Sequence, residues 1–199
     1  MKKIIAVLLT TILAVSLAAC GSSGGQSGSN TEDNKENEAA VDIPDAVMLL
    51  MTVWDSYTDD EKFPAIGGDF SEANNKENAP GVYDLSDADA VEVNLGFPAV
   101  QLDAVDGAAS LIHMMNGNTF TCGAFHVKDA PQMDNVAAAV KASIMNKQWM
   151  CGFPDKLVIL TVGDYLVSVY GAEDLVDNFQ NHLTAAYASA VVVCDAPIE

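Results

Sequence analysis

Residues 109–127 read ASLIHMMNGNTFTCGAFHV. Ala109–Met115 is an apolar run, Asn116-Gly117 is a strong turn signal, and Thr119–Val127 is a second run. Asn-Gly between two such runs predicts a β-hairpin with a two-residue turn, because these residues tolerate the positive φ the turn needs. That turn pairs His113 with Phe120 and places His113, Cys122 and His126 on one face. Asp129 and Pro131 then open a helix with Met133, Val136, Ala137, Val140 and Ile144 along one side.

The same order returns further on. Leu157–Val162, a Gly163-Asp164 turn and Tyr165–Tyr170 form a second hairpin. Pairing across it puts Val158, Leu160, Val162, Tyr165, Val167 and Val169 on one face. A last helix follows with Leu175, Phe179, Leu183 and Ala186 inward. Two hairpin-helix units, Ala109–Gln148 and Lys156–Tyr187, predict an α+β fold. The expected sheet is four-stranded and mainly antiparallel, with helices on one face.

A helix precedes these units. Asp42-Ile43-Pro44-Asp45 reads as its start, and Ile43, Val47, Leu50, Met51, Trp54 and Tyr57 recur at helical spacing. Phe63–Gly68 reads as an apolar loop and Ser71–Pro80 as a polar surface insertion. Ser86, with Asp87 and Asp89 behind it, is a candidate N-cap of a short helix stopped by Gly96. Pro98 starts another short helical piece. Residues 189–199 read as a tail with a β-like run, Val191-Val192-Val193. The domain is therefore expected at 41–188.

The first residues carry a different signal. Lys2 and Lys3 precede an apolar run, Ile4–Ala19, that is shorter than the roughly 20 residues of a spanning helix and ends Leu17-Ala18-Ala19-Cys20. A basic start, a short apolar core and small residues before a cleavage point describe a signal peptide, residues 1–19. The ending resembles the bacterial lipoprotein box. That resemblance implies cleavage between Ala19 and Cys20 and a diacylglycerol on the Cys20 thiol, with no other cofactor. A tether of about two acyl chains holds a protein stably on a membrane. Residues 20–40 are a Gly/Ser and acidic linker that cannot bury apolar area and is expected to be disordered. The expected place is the outer face of a bacterial cell membrane.

Charge narrows the partners. The chain has 28 acidic and nine basic residues, a net charge of −19, and all nine basic residues are lysines. With Lys2 and Lys3 removed, seven lysines face the same 28 acids. Nucleic acid, whose phosphates need a basic face, is excluded as a partner. Bidentate recognition of phosphate or carboxylate by Arg is excluded too. After Cys20 the cysteines are Cys122, Cys151 and Cys194, an odd number. One bridge, Cys122 to Cys151, and three reduced thiols both fit that count.

Taken together, a lipobox, a Ser/Gly linker, a helix ending near Phe63-Pro64, residues 113–129 (HMMNGNTFTCGAFHVKD), a helix, and residues 155–171 (DKLVILTVGDYLVSVYG) with a final helix make a recognisable order. It resembles a family of small bacterial lipoproteins carried as domain of unknown function forty-three fifty-eight. The resemblance spans about residues 42–186 and rests on the strand-Lys128-Asp129-helix join and the hairpin around Gly163-Asp164. The polar stretch 71–80 departs from it. It implies a surface-anchored α+β domain and supplies no catalytic or binding residues.

Three constellations invite chemistry. His113, Cys122 and His126 are zinc-type donors, but Cys122 and His126 lie about 13 Å apart along a strand, too far for one ion. Met48 with Met51, Met114 with Met115, and Met145 with Met150 are soft donors at core-like spacing, where gap-filling is the ordinary role. Asp84, Asp87, Asp89 and Glu92 lack the glycine and final spacing of a calcium loop and suit a helix start. No nucleophile signature and no phosphate loop is present. No catalytic or metal residues are assigned. The sequence therefore predicts a non-enzymatic module for a protein or small-solute partner. The alternatives are an envelope enzyme of hydrolase type built from scattered acids, and a metal or calcium accessory protein.

Overall fold

A computed structural model describes residues 43–150 and 152–199, all within the compact unit Glu38–Glu199. Ala19, Cys20, the signal, the linker and Cys151 lie outside the described residues. Among the described residues no helix is long and apolar enough to cross a membrane.

In chain order the elements are α1 (Ala46–Asp55), β1 (Ala65–Gly67), β2 (Lys76–Glu77), β3 (Gly81–Val82), α2 (Ala88–Leu95), a 3-10 helix (Ala99–Ala104), β4 (Val105–His113) and β5 (Phe120–Val127). A 3-10 turn (Ala130–Gln132), α3 (Met133–Met145), β6 (Lys156–Val162), β7 (Tyr165–Gly171), α4 (Glu173–Ala186) and β8 (Val191–Pro197) complete it.

The fold is α+β around one antiparallel sheet, and that sheet has eight strands rather than four. Its order is β2-β1-β4-β5-β7-β6-β8, with β3 also on β4. The two expected hairpins form its centre, joined through β5 and β7. The additions come from segments that looked irregular. Residues 65–67 and 76–77, read as loop and insertion, pair as β1 and β2. The stretch read as a C-terminal tail contains β8, which pairs with β6 from Lys156↔Pro197 to Thr161↔Val191.

Helices cover both faces, not one. On one face α1 and α4 bring Leu49, Leu50, Val53, Trp54, Val176, Phe179 and Leu183 onto Leu111, Phe120, Cys122, Val158, Leu160, Val167 and Val169. On the other, α2 and α3 bring Val91, Leu95, Val136, Val140 and Ile144 onto Ile112, Phe125, Leu157, Ile159, Leu166 and Tyr170. The physical reason is in β6, where Leu157-Val158-Ile159-Leu160 is unbroken and wholly buried. A strand with one wet face alternates; one covered on both sides does not. Each fully buried Leu, Ile or Val contributes about 1.5–3 kcal/mol by leaving water, so two helical layers are favoured over one.

Local signals shift by a residue or two. Asp45, the last residue of the expected start, caps α1, accepting the Met48 N–H at 2.8 Å. Asp87, not Ser86, caps α2, accepting the Ala90 N–H at 3.0 Å. Gly96 ends α2 at φ +70, and a Cβ there would lie 2.5 Å from Ile144 Cγ1. Only glycine serves both the left-handed stop and the close seat of α3. Within α4 the buried residues are Val176, Phe179 and Leu183, while Ala186 is exposed.

The first hairpin keeps the expected register, with Ile112↔Thr121 and Leu111↔Cys122. Its turn differs. Residues 114–119 make a six-residue connection, closed by Thr119 N–H to Asn116 O at 3.0 Å. Other chain segments hold it open. Pro64 O takes the Met114 N–H, and Thr119 O takes the Ala172 N–H. Asn118 Nδ2 donates to Met150 O and Gly152 O at 2.9 and 3.0 Å.

Candidate functional site

The open loop forms one wall of a cleft of about 280 Å³ at the end of the sheet. Its floor is Ile66, Ile112, Thr121 and Tyr170 from four neighbouring strands. Val93 and Asn94 of α2, Lys147 beyond α3, Phe70 and Met114–Asn118 complete it. Fourteen of the described residues line it and none of them is Asp or Glu. In a chain with 28 acids that composition is selective.

Phe70 is brought there by a strained loop. Its φ is +65, the left-handed region that costs a non-glycine residue about 1–2 kcal/mol. Asp69 holds the strain: Oδ1 accepts the Ser71 N–H at 2.9 Å, and Oδ2 accepts Asn74 Nδ2 at 2.7 Å and the Asp84 N–H at 3.3 Å. Burial pushes the Asp69 carboxyl pKa up, but the hydrogen bonds from Ser71, Asn74 and Asp84 outweigh it and bring it down to about 2. The side chain so displayed is 46% exposed. Val93, Met114 and Met115 on the other walls are exposed as well. Exposed apolar side chains gathered in a concavity are the ordinary mark of a binding surface, and methionine adapts its shape to what it meets.

Lys147 is the polar centre. Its Nζ donates to Val93 O at 2.7 Å and stands over the rings of Trp149 and Tyr170 at 4.9 and 5.7 Å. Burial lowers its pKa, because the ammonium loses water. Tyr170 Oη donates to Asn94 O at 3.2 Å, and burial pushes the phenol up to about 12. His113 Nδ1 accepts the Met115 N–H at 3.3 Å, so in the neutral ring Nε2 carries the proton.

The residues singled out from sequence separate. His113, Cys122 and His126 do share a face, as the register requires, but they do not converge. His113 stacks on Phe63, Cys122 is fully buried in the core, and His126 Nδ1 sits 2.5 Å from Asp106 Oδ1. Among the described residues no three of His, Cys, Asp and Glu form a metal-sized group. Cys122 and Cys194 are free thiols, and burial pushes the Cys122 thiol up; Cys151 lies outside the described residues. Three of the four acids at 84–92 serve backbone: Asp84 takes the Ser86 N–H, Asp87 caps α2, and Glu92 takes the Ala99 N–H. Met114 and Met115 are the one methionine pair placed in the cleft.

Two arrangements escaped the sequence. A second hollow, about 440 Å³, carries Asp45, Asp84 and Asp106 over Val47, Val82 and Ala108. Its carboxylates are committed to the α1 cap, the Ser86 turn and His126. The other is Ser56 Oγ, 2.8 Å from His182 Nδ1, with His182 Nε2 3.3 Å from Glu61 Oε1. This has the order of a serine–histidine–acid relay. The Ser56 hydroxyl, however, points its proton at Val53 O, 2.6 Å away, and neither of the two clefts described is lined by these residues. The group ties the end of α1 to α4. Sequence could not show it, because Ser56 and His182 are 126 positions apart.

No family model, curated protein or solved structure matches this chain.

Proposed function

We propose that the protein is a non-enzymatic binding module of the family it resembles, held by a diacylglycerol on Cys20 to the outer face of a bacterial membrane. Its acid-free cleft receives a small solute or a short peptide segment. One observation supports the binding part. Phe70, Val93, Met114 and Met115 stay exposed around Lys147, in a lining without a carboxylate. Covering such surface favours binding by about 25 cal/mol per Å² of apolar area removed from water. The anchor rests on the order of basic start, short apolar core, box and linker in the sequence.

Both parts are open to test. Cys20→Ser should release the protein from the membrane fraction; a Cys20→Ser chain recovered with its acyl groups would refute the anchor. Native mass spectrometry of protein taken from its own envelope should show a small bound mass that is lost in Met115→Glu, which puts an acid into the cleft.

A hydrolase reading has one observation in its favour, the Ser56–His182–Glu61 relay. A fluorophosphonate probe decides it. Ser56 is expected to stay unmodified, since its proton is held by Val53 O.

A further inference from the structure

Lys147 has a half-buried ammonium with no counter-ion among the described residues. Lys156, by contrast, meets Asp177 at 2.6 Å and Asp195 at 2.9 Å. Among the described residues no carboxylate lies within 4.0 Å of Lys147 Nζ, in a chain with three times as many acids as bases. Its bond to Val93 O uses one of three ammonium hydrogens. The rings beneath it attract the cation but cannot neutralise it. A partly desolvated charge without a partner is costly to hold, and an anion bound beside it removes that cost. His113, in the same lining, adds an Nε2 donor in its neutral form.

We infer that the ligand is a small monoanionic carboxylate with an apolar body, its carboxylate at Lys147 and its body against Phe70, Met114 and Met115. This rests on the reading of the cleft as a binding site. Size follows from volume. A cleft of about 280 Å³ is at the lower edge of the roughly 300–1,000 Å³ of typical ligand pockets, so it holds a ligand of amino-acid to dipeptide size. Charge follows from the single lysine. A phosphate would bring close to two negative charges to one ammonium, with no arginine in the chain to share them. Two sources present this chemistry: a free small acid, and the C-terminal residue of a peptide.

Calorimetry at pH 7 on the full-length chain in detergent separates the possibilities. The probes are N-acetylleucine and its amide, and the tripeptide Gly-Gly-Leu as free acid and amide. Each acid is expected to bind at least tenfold more tightly than its amide. Lys147→Met should abolish the difference and Lys147→Arg should keep it, with both variants shown to be folded by circular dichroism. Tighter binding of the tripeptide acid than of N-acetylleucine assigns the source to a chain terminus, and the reverse order assigns it to a free solute; either upholds the carboxylate. Equal affinity of acids and amides overturns the carboxylate and leaves the cleft a binding site. No heat from any of the four probes at millimolar concentration overturns both.

Discussion

The hydroxyl of Ser110 on β4 bonds both backbone groups of Gly68: it donates to Gly68 O and accepts the Gly68 N–H, each at 2.9 Å. Ser110 is fully buried and Gly68, two residues before Phe70, begins the strained loop. One side chain thus fixes the loop to the sheet. Ser110→Ala leaves two backbone groups without a partner, at about 1–3 kcal/mol for a buried unsatisfied group. Urea unfolding should register that loss, and amide exchange at 68–75 should quicken.

Gly67 seats the same loop by close approach. A Cβ there would lie 2.3 Å from Gly81 N and 2.4 Å from Ala79 O, both backbone. Backbone cannot step aside as a side chain can. Gly67→Ala is therefore expected to cost at least about 2 kcal/mol, at the upper part of the range for overpacking. Wild-type stability by chemical denaturation would contradict the tight seat.

A change of opposite sign is expected at Ser168. It is 1% exposed on β7, between Gly123 and Ile159, and its hydroxyl has no hydrogen-bond partner among the described residues. Ser168→Ala removes a desolvated polar group and should stabilise the fold by about 1 kcal/mol. A lower melting temperature would show that the hydroxyl is satisfied in solution.

The loop should loosen in acid. The Asp69 carboxyl has an ordinary value of 3.8 and a folded value of about 2. A depressed folded value means that the unfolded chain binds the proton more readily. The contribution is therefore fully present above pH 3.8 and is lost as pH falls through about 2. Protection of the Ser71 and Asp84 amides, measured by NMR against their intrinsic exchange rates from pH 5 downward, should fall over that window. Asp69→Asn should give fast exchange already at pH 5.

How much of this was legible follows from range. The two central hairpins, the register of β4 with β5, the inward face of α3 and the Phe179–Leu183 part of that of α4 are written in local periodicity, and the structure contains them. The second helical layer was also written, in the unbroken Leu157–Leu160 run, but as composition rather than as period. Strands of two and three residues such as β1, β2 and β3 carry too few side chains to show alternation. The cleft was barely legible. Phe70 and Lys147 lie 77 positions apart, and the missing carboxylates become visible only when α2, the β4–β5 connection and the end of α3 are brought together. His113 and the Met114-Met115 pair were noticed as metal-ligand candidates, which is a different role from the wall they form.

The most direct test of the account is methionine-methyl NMR on the full-length chain, titrated with amino-acid-sized neutral, cationic and anionic solutes. Met114 and Met115 line the acid-free cleft, while Met48 and Met133 lie outside that lining. Solutes that bind are expected to move the Met114 and Met115 resonances and to leave Met48 and Met133 unmoved. Shifts confined to Met48 or Met133, with Met114 and Met115 unchanged, would contradict it.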